Sequence, residues 1–132
     1  MPHVVLEHSL NCLKLDSDID FRVIFSSLAE VFIDLAEVGN FDISQCKFRE
    51  IKADSFAIAK GLGSEYCFCH IEVRIVAGRS VEVRKALAEG LFKVLKNALN
   101  YAVPQHIKLD LSVNIAEMTK ETYIKGLLFD GK

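Results

Sequence analysis

Pro2 is the first residue whose type invites chemistry. In "MPHVVLEHS" it follows Met1 directly and precedes an apolar run. A small second residue favours removal of the initiator methionine, and removal leaves Pro2 as a secondary amine at the head of a strand. A free α-amine titrates near ~7.7–8.0, and the prolyl amine is somewhat more basic. Burial or nearby cations lower that value and leave a neutral amine able to accept a proton at physiological pH. With Met1 retained the same nitrogen is an amide and accepts none. Cations that would serve such a base are also present. Arg79, in "AGRS", lies past a strand end and before a helix, where the first helical amides from Ser80 add to the pull on an anion. Lys47 and Arg49, in "KFRE", stand two apart and share one strand face, a spacing suited to clamping a carboxylate. Each has an ordinary reading beside this one: a permissive second residue, a surface arginine, a solvated strand face. His3, beside Pro2, and His70 are the histidines to watch, whereas His8 and His106 are scattered.

Other chemistries find no support. The chain lacks G-x-S-x-G, a Walker loop and a G-x-G-x-x-G opening a helix, and "KGLGS" makes no phosphate cradle. Cys12, Cys46, Cys67 and Cys69 form no C-x-x-C pair and no zinc spacing, so they read as small buried thiols rather than a metal or redox centre. No cofactor and no metal are expected. Net charge is −2, with 16 Lys+Arg interspersed among 18 Asp+Glu, which argues against nucleic-acid and anionic-membrane partners. No apolar run approaches the ~18 residues of a membrane span, and "MPHVVLEHSL" lacks a cationic leader region. A reducing cytoplasm is the expected location.

The elements that must hold these residues follow from periodicity. "PHVVLEHS" reads as a strand. Phe21, Ile24, Phe25, Leu28, Val31, Phe32 and Leu35 form a helical stripe, with a capping box at Ser17–Asp20 and a stop at Gly39. "CKFREI" reads as a second strand. In "EYCFCHIEVRIVA", Cys67, Cys69, Ile71, Val73 and Ile75 make an apolar face, and Tyr66, Phe68, His70, Glu72 and Arg74 the other. A second helix starts at an N-cap Ser80, carries Leu87, Leu91, Val94, Leu95 and Ala98 inward, and ends before Pro104. "HIKLDLSVNI" alternates as a last strand. Leu28-Ala29-Glu30 recurs as Leu87-Ala88-Glu89, so the chain, at 132 residues and 51% hydrophobic, reads as one domain with pseudo-repeats at about 2–52 and 65–116 and an extension over 117–132. The predicted fold class is α+β: two repeated β-α-β units forming a four-stranded sheet with two helices on one face. The other face then carries aromatics, His70 and several charges, and burial against further copies of the chain explains it better than solvent does.

Together, "MPH", "EYCFCH" and "AGRSVEVRKALAEGLF", with "VGNF" and "KFR", resemble the 5-carboxymethyl-2-hydroxymuconate isomerase family of the tautomerase superfamily over roughly residues 2–100. The resemblance implies a tautomerase-like homotrimer working without cofactor. Its amino-terminal proline, here Pro2, moves a proton from a dienol hydroxyl to a distal carbon. Its arginines hold the substrate's carboxylates: Arg79 matches the A-G-R-S arginine, and Lys47-Phe48-Arg49 stands where the family often has Arg-x-Arg. The expected substrate is a small polyanionic dienol from aromatic-compound catabolism. A tautomerase of different substrate and a non-catalytic trimeric anion-binding protein are the alternatives.

Overall fold

Two patterns build the fold: strict alternation in the strands and a leucine stripe in each long helix. In the computed structural model, which describes residues 2–9, 19–59, 65–100, 103 and 105–128, the order begins with β1 (His3–Ser9), α1 (Phe21–Asp34), a single turn α2 (Ala36–Gly39) and β2 (Lys47–Ala53). It continues with β3 (Tyr66–Val76), α3 (Val81–Leu99) and β4 (Lys108–Met118). The sheet order is β2-β1-β3-β4, with β1 parallel to β2, antiparallel to β3, and β3 parallel to β4. This is the expected α+β arrangement of two β-α-β units.

Alternation decides which side of the sheet is covered. Val4 and Leu6 of β1 and Cys67, Cys69, Ile71, Val73 and Ile75 of β3 are buried beneath the helices, with Leu28 and Phe32 of α1 and Leu87, Leu91, Leu95 and Leu99 of α3 packed on them. Each such side chain removed from water contributes about 1.5–3 kcal/mol, which offsets the ordering of the chain. The helices meet where Gly90 of α3 faces Val31 of α1. A Cβ built on Gly90 would stand 2.7 Å from the Val31 Cγ1, so only glycine allows this approach.

The helix ends refine the sequence reading. The N-cap of α1 is Asp20, whose carboxylate accepts from the Arg22 amide at 2.9 Å, while Ser17 lies outside the described residues. Ser80 caps α3 as expected, accepting from the Val83 amide at 3.2 Å; Pro104 also lies outside the described residues. Gly39 ends α2, but the left-handed residue is Asn40, at φ 52°. Gly39 is needed for a different reason: a Cβ there would stand 2.4 Å from the Phe41 ring. Among the described residues no helix is long and apolar enough to cross a membrane.

Candidate active site

Strand directions bring four chain segments to one end of the sheet: the start of β1, the start of β2, the exit of β3 and the end of β4. Pro2 lies there, buried, and its carbonyl accepts the Lys47 amide at 2.9 Å. Register then sets its neighbours. His3 is paired with Lys47 on one side and Arg74 on the other, so Lys47, Arg49 and Arg74 share the uncovered face with His3. Lys47 donates from Nζ to the Gln45 carbonyl at 3.0 Å.

The cations leave a mark on His3. Its pKa is pulled below the ordinary 6.5, first by burial and then by the charges of Arg49, Lys47 and Arg74. A positive potential of this kind disfavours any further cation at the site and favours an anion. The hydrogen bonds agree. An Arg49 guanidinium nitrogen lies 3.4 Å from His3 Nδ1, and guanidinium groups only donate, so Nδ1 holds a lone pair. That arrangement leaves the ring proton for Nε2, which lies 3.0 Å from the Tyr123 hydroxyl.

Arg79 stands at the same end with a different set of partners. Its Nε donates to the Gly39 carbonyl at 2.7 Å and its two terminal nitrogens to Val76 and Asn40 carbonyls, each at 3.0 Å. The guanidinium carbon lies 4.5 Å from the Phe41 ring centroid. Arg79 thus latches the β3 exit to the turn after α2 and commits three of its five N–H groups in doing so. Burial lowers its pKa, but an arginine remains cationic at any physiological pH. Its charge also reaches Cys46, beside Lys47, where burial pushes the thiol pKa up and Lys47 and Arg79 pull it back.

So Pro2, Lys47 and Arg49 are brought together around His3, and Arg79 flanks them as a latch. Two further residues escaped the sequence reading as site residues. Alternation puts Arg74 on the uncovered face, yet its position beside His3 depends on the β1–β3 register, which alternation alone does not supply. Tyr123 comes from the segment after β4, where no periodicity marks it. A wide open groove between α1 and β2, lined by Phe21, Phe25, Phe48 and Arg49, runs along the sheet edge. Cys67 and Cys69 are buried in the core, with the Cys69 thiol pushed up to about 12 by burial first and Cys67 next, so they behave as small apolar side chains. Among the described residues no cluster of three or more His, Cys, Asp or Glu is placed to hold a metal ion.

The chain matches a known family, 5-carboxymethyl-2-hydroxymuconate isomerase, over residues 2–127. It is 30% identical over 118 residues to a 5-carboxymethyl-2-hydroxymuconate Delta-isomerase from Escherichia coli, covering 89% of this chain and 87% of that one. Its fold superposes on the crystal structure of a 5-carboxymethyl-2-hydroxymuconate isomerase from Deinococcus radiodurans R1 with TM-score 0.81 and 26% identity, over 95% and 88% of the two chains. A fused 4-OT symmetric trimer shares the fold alone, at TM-score 0.58 and 14% identity, over 90% and 87%.

Proposed function

The chain belongs to the 5-carboxymethyl-2-hydroxymuconate isomerase family of the tautomerase superfamily and is an isomerase, and from that premise we propose that Pro2 is its base. The observation that carries the reading is a buried Pro2 at a sheet end where Lys47, Arg49, Arg74 and Arg79 gather in a chain of net charge −2. With Met1 removed, the Pro2 nitrogen takes the proton of a 2-hydroxyl group on a conjugated dienol. The O–H electron pair becomes part of a carbonyl, the double bonds shift along the chain, and a distal carbon takes the proton back from the prolyl ammonium. No atom is gained or lost.

The surrounding cations serve the two halves of this cycle. They disfavour the protonated amine and keep Pro2 neutral between turnovers. Arg49, with Lys47, binds one substrate carboxylate, and the exposed Arg74 adds charge on the same face. Arg79 keeps two N–H directions for a second carboxylate beside the oxygen where negative charge develops. Lys47 supplies a point charge where an arginine would supply a fork, so this carboxylate is held less rigidly. The substrate class is a small unsaturated 2-hydroxy acid with more than one carboxylate, 5-carboxymethyl-2-hydroxymuconate first among them, formed in aromatic-compound catabolism in the cytoplasm.

A homotrimer completes the proposal. On the uncovered face His70 bonds to Ser112 at 2.7 Å and to Glu72 at 2.8 Å, and Asn114 donates to Glu72 at 2.9 Å. This internally satisfied network can be buried against other copies without leaving polar groups unpaired. A fused 4-OT symmetric trimer of similar fold supports this assembly. A panel of dienols of varied carboxylate number, followed by ultraviolet absorbance, tests the function. Turnover should require at least two carboxylates, and equal rates on uncharged dienols would refute the carboxylate-binding reading.

A further inference from the structure

Beyond the cations themselves, the segment after β4 reaches back to the Pro2 end. Tyr123 is partly buried, and its ring stands edge-on to His3 with centroids 6.1 Å apart. Its hydroxyl meets His3 Nε2 at 3.0 Å, while Lys125 bonds through Nζ to the Gln45 side-chain oxygen. Two separate contacts therefore moor residues 123–125 to β1 and to the turn preceding β2.

The histidine between Tyr123 and Arg49 has only one arrangement that satisfies both. Arg49 can only donate, so His3 Nδ1 must accept. Nε2 must then donate, and the Tyr123 oxygen is its acceptor. Loss of that acceptor frees the ring to exchange tautomers, which turns the Nδ1–H toward the guanidinium, or to flip, which turns the Cδ2–H there; either way Arg49 loses its acceptor. We propose that Tyr123 and His3 form a positioning pair, which fixes the His3 tautomer and thereby holds Arg49 in the orientation that receives a substrate carboxylate. His3 is kept neutral by burial and by Arg49, Lys47 and Arg74, as this arrangement requires. The inference rests on the carboxylate-binding role of Arg49 and is independent of whether Pro2 is the base.

Two measurements test it without turnover. In the full chain, nitrogen-15 shifts of His3 should report a neutral ring protonated at Nε2, and Tyr123→Phe should mix the tautomers. Calorimetry with muconate, an unreactive unsaturated dicarboxylate, should show Tyr123→Phe weakening binding by roughly 2- to 12-fold, the size of one neutral hydrogen bond. In an Arg49→Ala background the same substitution should change nothing, because the pair acts only through Arg49. A His3 ring protonated at Nδ1, an equal effect of Tyr123→Phe in both backgrounds, or no muconate binding by the parent chain would each overturn the inference. Loss of the Pro2 role with these results intact would leave the positioning pair standing.

Discussion

Two histidines five residues apart on β1 show how differently the two ends of the sheet are built. His3 lies at the Pro2 end on the uncovered face, among cations, with one ring nitrogen facing a guanidinium. His8 lies at the opposite end on the helix face, 2% exposed and stacked on Phe21 with centroids 5.1 Å apart. Its Nδ1 meets the Ser9 carbonyl at 2.9 Å and its Nε2 the Glu50 carboxylate at 2.7 Å. Each ring nitrogen thus has an acceptor within the fold. One end satisfies its polar groups internally and closes over them. The other gathers Lys47, Arg49 and Arg74 beside His3, offset in part by the Glu72 carboxylate near Arg74, and an anionic substrate relieves the repulsion that remains. A polar group that the fold satisfies is structural, and a set of like charges left only partly compensated is a site waiting for its counter-ion.

Substitutions separate the two ends by their effects. The largest change in activity belongs to Pro2. Pro2→Ala keeps an α-amine once Met1 is removed, so kcat/KM should fall about 10³-fold, short of the roughly 10⁴ that loss of a positioned base can reach. Arg49→Ala comes next. It should lower kcat/KM on a dicarboxylate roughly 10- to 150-fold, the worth of one charge-assisted contact, and leave thermal stability nearly unchanged. An unchanged kcat/KM would make Arg49 a surface residue.

Arg79→Ala should act on both ledgers, because three carbonyls lose their donor and the site loses a charge. Unfolding free energy should drop by about 1–3 kcal/mol together with kcat/KM, as read by denaturant titration and steady-state rates. Glu50→Ala is the contrasting case. It strands His8 and should cost about 1–3 kcal/mol of stability while kcat/KM stays within about two-fold of the parent value. A large catalytic loss in Glu50→Ala would erase the distinction between the ends.

The smallest effect is a pH dependence from His3. Its folded pKa lies below 6.5, so between those two values the unfolded chain binds a proton that the folded chain does not. Stability from this group is complete above the unfolded value and is lost as pH falls through that window. His3→Asn should therefore flatten the rise of denaturation midpoint between acid and neutral pH, and an unaltered slope would show that neither burial nor the nearby cations disfavour charged His3.

Most of this architecture is legible in the sequence because it depends on local rules. Cys67 to Ile75 alternate without exception, and Leu87, Leu91 and Leu95 repeat at helical spacing, so face and element type follow directly. Pro2, Lys47 and Arg49 stand out one by one in the sequence and are joined into a group only by the family resemblance, because the β1–β2 pairing that sets them side by side is long-range. What the sequence hides is long-range. The Arg79 latch depends on where the chain turns after α2, forty residues earlier, and on Phe41 beneath it. Tyr123 reaches His3 across 120 residues of separation, through a segment with no regular pattern. The N-cap of α1 illustrates a local ambiguity instead: Asp20 offers a carboxylate two residues before the Arg22 amide, and that geometry defines the first turn.

The free amine of Pro2 is the central claim, and blocking it is its most direct test. Chain lacking Met1 is prepared in two forms, one with the prolyl nitrogen free and one with it acetylated, each verified by intact mass. Their kcat/KM values on the same dicarboxylated dienol are then compared. Acetylation removes the lone pair while leaving Lys47, Arg49, Arg74 and Arg79 in place, so binding of muconate should persist and turnover should fall to the uncatalysed rate. Equal kcat/KM for the free and acetylated chains would contradict the account and move the proton transfer to another group.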